Sequence, residues 1–326
     1  MAKVYKSITE LVGRTPLLEV VNYEKLHGLR AKILVKLEYF NPNQSVKDRI
    51  ALSIIEEAER SGALKPGYTV VEVTSGNTGV GVASIAAAKG YKSRLYIQDN
   101  VSRERFQVAR AFGAEVHKIY EQPAIKKALE STNDIMVAFK ALEEQILAEE
   151  NVFYVNQLAN PANPGAHEAT TGPEIWEDTE GKVDILVANV GTGGTVSGTG
   201  RYLKSKNPNV KVVAVQPGPS SVPSEGNPEP EEITGVHPFE GVPESAKPKN
   251  LDYSVYDEKF EVETVEAFGA AREVAKTDGI LVGTSSGSAL YAATHLAKRP
   301  ENAGKTIVAV LPDTGLRYLS TKLFEG

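Results

Sequence analysis

The sequence contains no cysteine and only five histidines among its 326 residues. The absence of cysteine excludes disulfide bonds, thiolate zinc sites and a cysteine nucleophile. No two histidines have the spacing that ligands of one structural metal usually have, so we expect no metal site.

Strong positive charge and long apolar runs are missing as well. The formal net charge is -6, and no cluster of lysine and arginine has aromatic residues between its members, which argues against a nucleic-acid partner. No apolar run has the length needed to cross a membrane, and the first residues carry no apolar signal core. The sequence therefore predicts a cytoplasmic protein without a membrane partner.

What the chain does have is a regular alternation of predicted strands and helices. Its composition, 41% hydrophobic and 24% charged, is ordinary for a globular chain and sufficient for one large or two smaller cores. The predicted strands are 31–38, 68–73, 94–97, 115–120, 151–156, 183–190, 210–216, 279–283 and 306–311. Helices are predicted over 47–61, 80–89, 102–112, 124–149, from 171, up to 204, over 262–277 and, after the turn 284–288, up to about 298. This alternation is typical of an α/β architecture with mostly parallel sheets, in which ligands bind at the carboxyl ends of the strands.

Lys47 stands at the predicted start of a helix, directly after a polar, turn-like segment. A cation is unfavourable there because the amino end of a helix carries partial positive charge. A neutral amine or an imine would suit the position better. A lone lysine is nevertheless most often simply solvated, so the three glycine, serine and threonine turns that follow decide its interpretation.

The segment Gly191–Gly200 follows a predicted buried strand and is rich in glycine and threonine. Glycines allow the backbone to approach a ligand closely, and a helix start behind such a loop favours an anion, typically phosphate. The loop lacks the Gly-Lys-Ser/Thr of a nucleotide-binding P-loop. It also fails the dinucleotide fingerprint, because the third glycine would fall at Val196.

Two further turns lie between a predicted strand and a helix. Residues 74–79 read Thr-Ser-Gly-Asn-Thr-Gly, which suits either a substrate carboxylate or an ordinary helix cap. Residues 283–287 match the G-x-S-x-G nucleophile elbow. A serine hydrolase would need an acid and then a histidine after the serine, but no Asp or Glu lies between Ser285 and His295. Ser285 is therefore interpreted as a capping or ligand-facing residue.

Pyridoxal phosphate is the cofactor that requires all of these features together. Its aldehyde forms an imine with a lysine, its phosphate needs an anion nest, and its ring nitrogen needs a partner.

The motifs at Ser45–Arg49, 74–79, Gly191–Thr195 and 283–287 resemble, in order and approximate spacing, those of the cysteine synthase family. The segments Asn156–Asn163, His167–Trp176 and Arg317–Thr321 are also similar to that family, so the resemblance covers nearly the whole chain. It implies a fold of the tryptophan synthase β type, with two open, twisted, mostly parallel sheets that have helices on both faces. It also implies a larger cofactor-anchoring domain, 1–42 with 161–326, and a smaller domain, 43–160, that closes on the substrate.

The resemblance implies a role for each matching residue. Lys47 resembles the lysine that holds the cofactor as an imine and later moves the α-proton. The other implied cofactor ligands are Asn77, Gly191, Thr192, Gly193, Gly194, Thr195 and Ser285. The implied substrate ligands are Thr74, Ser75, Thr78, Gln157 and Gly235.

The implied activity is formation of L-cysteine from O-acetyl-L-serine and sulfide by β-replacement through an α-aminoacrylate, in a homodimer. A neutral serine beside the ring nitrogen leaves that nitrogen unprotonated, which favours β-elimination and β-replacement over transamination. Where the family has a glycine-rich turn, this chain has a longer and bulkier segment that contains His237, Phe239 and Glu240. Such a difference keeps related activities open: a cysteine β-lyase that releases hydrogen sulfide, a lanthionine synthase or a cystathionine β-synthase. The chain around 122–132 also looks inserted.

Overall fold

The computed structural model describes residues 4–74, 76–99, 101 and 103–325. Contacts within the chain divide it into two compact units, which we treat separately. The first unit comprises Met1–Val12 and Lys47–Asn160, and the second comprises Gly13–Val46 and Pro161–Gly326. Helices and strands are numbered along the chain.

The first unit contains a four-stranded, all-parallel sheet in its described residues, with the strand order β5-β4-β3-β6. The strands are β3 (Thr69–Thr74), β4 (Lys92–Ile97), β5 (Glu115–Lys118) and β6 (Val152–Tyr154). The helices are α2 (Lys47–Ser61), α3 (Asn77–Lys89), α4 (Arg103–Ala111), α5 (Pro123–Thr132) and α6 (Ile135–Leu147). Buried apolar side chains of α5 and α6 form one core with Val71 and Tyr96 of the sheet, while α3 contacts β3 and β4.

The second unit contains a six-stranded sheet in its described residues, with the order β1-β2-β10-β7-β8-β9. Only β1 runs antiparallel to its neighbour. The strands are β1 (Leu17–Glu19), β2 (Lys32–Leu37), β7 (Ile185–Asn189), β8 (Lys211–Pro217), β9 (Glu258–Val262) and β10 (Thr306–Leu311). The helices are α1 (Val21–His27), α7 (Ala162–Ala166), α8 (Gly172–Asp178), α9 (Gly194–Lys206), α10 (Thr264–Thr277) and α11 (Thr284–Lys298).

The central strands of this sheet are apolar at consecutive positions because both of their faces are covered. Val213 belongs to a core formed with α10 and α11, whereas its neighbours Val212 and Ala214 belong to a second core formed with α9. Successive side chains of a strand point to opposite faces, so a continuous apolar run fills both cores. The predicted fold class, two mostly parallel sheets with helices on both faces, is confirmed.

Two local predictions need correction. The helix predicted over 124–149 is two helices, because Asn133 adopts a left-handed conformation and the Asp134 side chain accepts hydrogen bonds from Met136 N and Val137 N to cap α6. The strand predicted at 279–283 is reduced to a single bridge between Val282 and Thr314. Strands β1 and β9 and the short helices α1 and α7 were not predicted.

The predicted domain limits stay a prediction, although contacts group two segments differently. Residues 43–46, which the sequence assigned to the smaller domain, fall in the second unit. Residues 1–12, which the sequence assigned to the larger domain, fall in the first unit. The short 3-10 turn at Ile8–Leu11 contacts α3, which explains that grouping.

Candidate active site

Lys47 is the first residue of α2, in the first unit. Its side chain is half-buried, and the two residues that follow it in the helix are buried. A β-carbon placed on Gly81 of α3 would lie 3.2 Å from the Lys47 carbonyl oxygen, so the start of α2 packs closely on α3. Because Gly81 lies one turn after Asn77, the predicted lysine and the predicted ring-oxygen ligand belong to neighbouring helix starts.

The turn between β3 and α3 depends on Gly76. Its φ of +145° is one that L side chains rarely adopt, and a β-carbon there would overlap the side chain of Arg105. The amide of Gly76 donates to Thr74 Oγ1 at 3.0 Å, and α3 then begins at Asn77. Thr74 therefore uses its hydroxyl to shape the predicted carboxylate nest. Ser75, a predicted substrate ligand, lies outside the described residues.

Thr78 and Gln157 are brought together although 79 positions separate them. The Thr78 hydroxyl donates to Gln157 Oε1 at 2.5 Å, and both residues are buried. The main-chain N–H of Gln157 donates to Glu72 Oε2 at 3.2 Å, and the N–H of Val73 donates to Glu72 Oε1 at 2.9 Å. Burial, which outweighs these two hydrogen bonds, raises the pKa of Glu72 to about 8.

In the second unit, the loop 191–195 joins β7 to the amino end of α9. Gly193 is left-handed, with φ +88°, and as a glycine it offers no side chain to cap α9. The N–H of Gly194, the first residue of α9, makes a long hydrogen bond of 3.4 Å to Thr192 Oγ1. The first N–H groups of a helix have no partner within the helix, so the start of this 13-residue helix suits an anion. The loop geometry therefore fits a phosphate group.

Two side chains from neighbouring segments hold the threonines of this loop. Asn163 Nδ2 donates to Thr192 Oγ1 at 3.0 Å, while Thr195 Oγ1 and His167 Nε2 share a hydrogen bond of 3.2 Å. The other ring nitrogen of His167 is 2.9 Å from Thr171 Oγ1, in the π-helical turn before α8. Thr192 and Thr195 are thus held in place by buried groups.

Ser285 is buried in the first turn of α11. Its carbonyl oxygen accepts a hydrogen bond of 2.6 Å from Asn189 Nδ2, and Asn189 Oδ1 accepts one of 2.9 Å from Ser288 Oγ. Asn189 is the last residue of β7, two positions before Gly191. It therefore brings Ser285 and the loop 191–195 to the same carboxyl end of the sheet.

The segment that contains Gly235 runs beside this loop. A β-carbon on Gly191 would overlap the Gly235 carbonyl oxygen, and the N–H of His237 donates to the Val190 carbonyl at 2.8 Å. Phe239 is fully buried in the core beneath α9, and Glu240 accepts a 2.6 Å hydrogen bond from Tyr256. The side chain of His237 is exposed, so Phe239 and Glu240 anchor the segment while His237 faces outward.

Within the described residues, no group of three or more histidine and acidic side chains could hold a metal ion. No described helix is both long enough and apolar enough to cross a membrane.

A family model described as "Pyridoxal-phosphate dependent enzyme" matches residues 8–313. The chain belongs to this family. It is 44% identical over 324 residues to a cysteine synthase of Staphylococcus aureus, and the match covers 99% of this chain and 98% of the relative. The predicted family and cofactor are confirmed.

Solved structures of similar pyridoxal-phosphate enzymes cover nearly the whole chain as well. O-acetyl serine sulfhydrylase isoform 3 from Entamoeba histolytica has a TM-score of 0.86 at 40% identity, covering 99% of this chain and 92% of that one. An O-ureido-L-serine synthase has a TM-score of 0.83 at 37% sequence identity, and the match covers 99% of this chain and 96% of that one. A hydrogen sulfide-producing enzyme from Fusobacterium nucleatum has a TM-score of 0.84 at 37% sequence identity, and the match covers 98% of this chain and 99% of that one.

Several residues of this pyridoxal-phosphate enzyme that support the predicted ligands were not singled out from the sequence. Glu72, Asn189 and His167 contact Gln157, Ser285 and Thr195 respectively. A polar residue that ends or interrupts an otherwise apolar strand was the available signal for Glu72 and Asn189. His167 lay inside a segment that resembled the family, but its contacts depend on the fold.

Proposed function

We propose that this pyridoxal-phosphate enzyme is a cysteine synthase that forms L-cysteine from O-acetyl-L-serine and sulfide by β-replacement. The observation that carries the proposal is the 44% identity with a curated cysteine synthase over 99% of the chain. The local geometry within each unit supports it, because Lys47, Asn77, Gly194 and Ser285 each lie in the first turn of a helix.

The first unit would supply the proton-moving group and the substrate ligands. When bound, pyridoxal phosphate withdraws electrons from the substrate α-carbon and so makes its proton removable. We assign attachment of the cofactor, and afterwards the transfer of that proton, to the Lys47 amine. Thr74, Ser75, Thr78 and Gln157 would bind the substrate carboxylate, and Asn77 would donate to the oxygen on the cofactor ring.

The second unit would hold the cofactor itself. The start of α9, with Gly191, Thr192, Gly193, Gly194 and Thr195, would bind the phosphate through backbone N–H groups and two hydroxyls. Ser285 would offer the ring nitrogen a neutral hydroxyl. A carboxylate would keep the ring nitrogen protonated, whereas a hydroxyl does not. A serine at this position therefore favours elimination and replacement at the β-carbon over transamination.

The segment around Gly235 would determine which second substrate the enzyme uses. The buried Phe239 and the hydrogen-bonded Glu240 support a packing role for these two side chains, which leaves Gly235 and His237 as the positions able to meet substrate. A related activity, such as release of hydrogen sulfide from cysteine, would have to come from those positions.

The test supplies purified enzyme with O-acetyl-L-serine and sulfide, and identifies the product by mass spectrometry. Parallel reactions contain serine with homocysteine, and cysteine alone. We expect cysteine from the first reaction at a rate at least about tenfold above any product of the others. Faster release of sulfide from cysteine, or faster formation of cystathionine, would reject the cysteine synthase assignment in favour of a related enzyme.

We also propose that the enzyme is a cytoplasmic homodimer and that the smaller domain moves when substrate binds. These features rest on the resemblance to the family. Light scattering of the 35.1 kDa chain tests the dimer, since a single-chain mass would reject it. Hydrogen exchange with and without O-acetyl-L-serine tests the movement, since unchanged exchange throughout 43–160 would reject it.

A further inference from the structure

Strands β3 and β6 separate just before the proposed substrate ligands Thr74, Thr78 and Gln157. Their parallel pairing ends with Val71 opposite Tyr154, and the N–H of Val155 makes a last hydrogen bond of 2.9 Å to the Val71 carbonyl. Beyond this point, the backbone N–H groups of Val73 and Gln157 no longer have a carbonyl partner across the pair. Unpaired N–H groups in a buried position are costly, so another acceptor is needed.

The carboxyl group of Glu72 supplies that acceptor. Glu72 is only 1% exposed, and its two oxygens accept from Val73 N at 2.9 Å and from Gln157 N at 3.2 Å. Gln157 is then held a second time, because its Oε1 accepts from the Thr78 hydroxyl at 2.5 Å. One buried acid thereby fixes a residue from after β6 against both β3 and the start of α3.

We propose that Glu72 is a positioning residue that orients Gln157 and Thr78 toward the substrate carboxylate. The proposal rests on the proposed function, which assigns Gln157 and Thr78 to that carboxylate. Glu72 itself acts only through these two residues.

The surroundings of Glu72 favour its neutral form. Burial raises the pKa of Glu72 to about 8, and the charge of Glu143 on α6 raises it further, against two lowering backbone hydrogen bonds. The other titratable group that faces it is Tyr154 on β6, whose own pKa is raised by burial and then by the charges of Glu72 and Glu143. No described cation is among the groups that shift the pKa of Glu72.

A neutral Glu72 adds no negative charge next to Gln157, one of the residues proposed to bind the substrate carboxylate. When the pH rises above about 8, Glu72 ionises. Its negative charge then lies on a carboxyl group that is 3.2 Å from the main-chain nitrogen of Gln157. Two like charges in a partly buried site repel each other, so substrate affinity should fall while the reactivity of bound substrate changes little.

The experiment compares the holoenzyme with Glu72→Gln, which has the same shape but cannot ionise. Glu59→Gln is the matched control, because Glu59 lies in the same unit and pairs with Lys89 at 2.7 Å, away from this contact. Glu143→Gln removes the neighbouring charge and should move the midpoint of the wild-type profile to lower pH. Affinity for O-acetyl-L-serine is followed by cofactor absorbance without sulfide between pH 6.5 and 9, and kcat and KM are measured separately.

We expect the ratio of the wild-type to the Glu72→Gln dissociation constant to rise about tenfold from pH 6.5 to 9. Over the same range kcat should stay within about twofold. Forming the ratio cancels the ionisation of the substrate amine, which is common to both proteins. A flat ratio, or a loss confined to kcat, would overturn the positioning role.

Amide hydrogen exchange supplies a readout that does not depend on activity. Exchange of the peptide around Gln157 should be faster in a further variant, Glu72→Ala, because that change removes both oxygens that accept from Val73 N and Gln157 N. Exchange unchanged from wild type would also overturn the proposal. Absence of turnover with sulfide, while affinity still follows the expected pH profile, would reject only the cysteine synthase assignment.

Discussion

At the scale of single residues, Glu258 shows how one carboxyl group attaches an edge strand to its unit. It begins β9 and accepts two hydrogen bonds from the Arg299 guanidinium, at 2.9 and 2.7 Å, while Lys211 Nζ lies 2.6 Å away. The hydrogen bonds from Arg299, and then those from Lys211, lower the pKa of Glu258 to about 2 against the opposing effect of burial. The ionised form is therefore stabilised by the fold.

Glu258→Gln should lower the free energy of unfolding at pH 7 by about 1 to 2 kcal/mol, since Glu258 is only partly exposed and is paired on two sides. The pKa is lower in the folded than in the unfolded protein, so this contribution is present above about pH 4.5 and is lost as the pH falls toward 2. Urea unfolding at pH 7 and pH 3.5 measures the difference, which should shrink at the lower pH.

Glu180→Gln is the control for that series, because Glu180 and Lys182 form an exposed pair. An exposed pair contributes little, so this change should be nearly neutral at both pH values. An effect of Glu258→Gln that is equal at pH 7 and pH 3.5 would contradict the ionic explanation.

Sequence motifs singled out residues for ligand contact, a prediction that stays open, but they did not single out the residues that support them. Thr78 and Gln157 came from separate motifs, and the fold joins them by a direct hydrogen bond. Glu72 and Asn189 stand out in the sequence only as polar residues in apolar strands, and their partners could not be predicted, because those depend on where two strands diverge and on which helix start meets the end of β7. Such long-range contacts have no periodic pattern in the sequence.

At the scale of elements, the amino end of α9 carries the cofactor proposal for the second unit. Gly193 has φ +88°, and a β-carbon there would lie 2.5 Å from Leu251 N. Gly193→Ala should cost about 1 to 2 kcal/mol in backbone strain and displace the N–H groups of the helix start. We expect the affinity of the apoprotein for pyridoxal phosphate, titrated by absorbance, to fall at least about tenfold.

Gly269→Ala provides the matched control. Gly269 lies inside α10, and a β-carbon there would meet no atom within 4 Å. Alanine should stabilise this helix by about 0.5 to 1 kcal/mol without affecting cofactor affinity. Equal cofactor affinities for both alanine variants would contradict the role given to the loop 191–195.

Strands and helices with a clear apolar period were predicted close to their observed limits, and β10 matches at both ends. The prediction missed β9, a strand at the sheet edge that has three charged residues among its five and is mostly only partly buried. It also continued one helix through Asn133 and Asp134, where a left-handed residue and a side-chain cap end one helix and begin another. Backbone conformation of this kind is not encoded by hydrophobic period.

At the scale of the whole molecule, the alternation of strands and helices predicted mostly parallel sheets, while the composition left one large or two smaller cores open. Each unit has its own mostly parallel sheet with helices, and two such sheets were implied by the resemblance to the family. The grouping of the first twelve residues did not follow, because it depends on a contact between a short turn and α3. Long-range packing of short segments is the part of the fold that sequence periodicity leaves undetermined.

The central claim is that the ε-amine of Lys47 carries pyridoxal phosphate. The most direct measurement reduces the purified holoenzyme with borohydride, which makes the attachment permanent, and then locates the modified lysine by peptide mass spectrometry. We predict a phosphopyridoxyl group on the peptide that contains Lys47 and none on the buried Lys36. Modification of a different lysine, with the Lys47 peptide unmodified, would contradict the account.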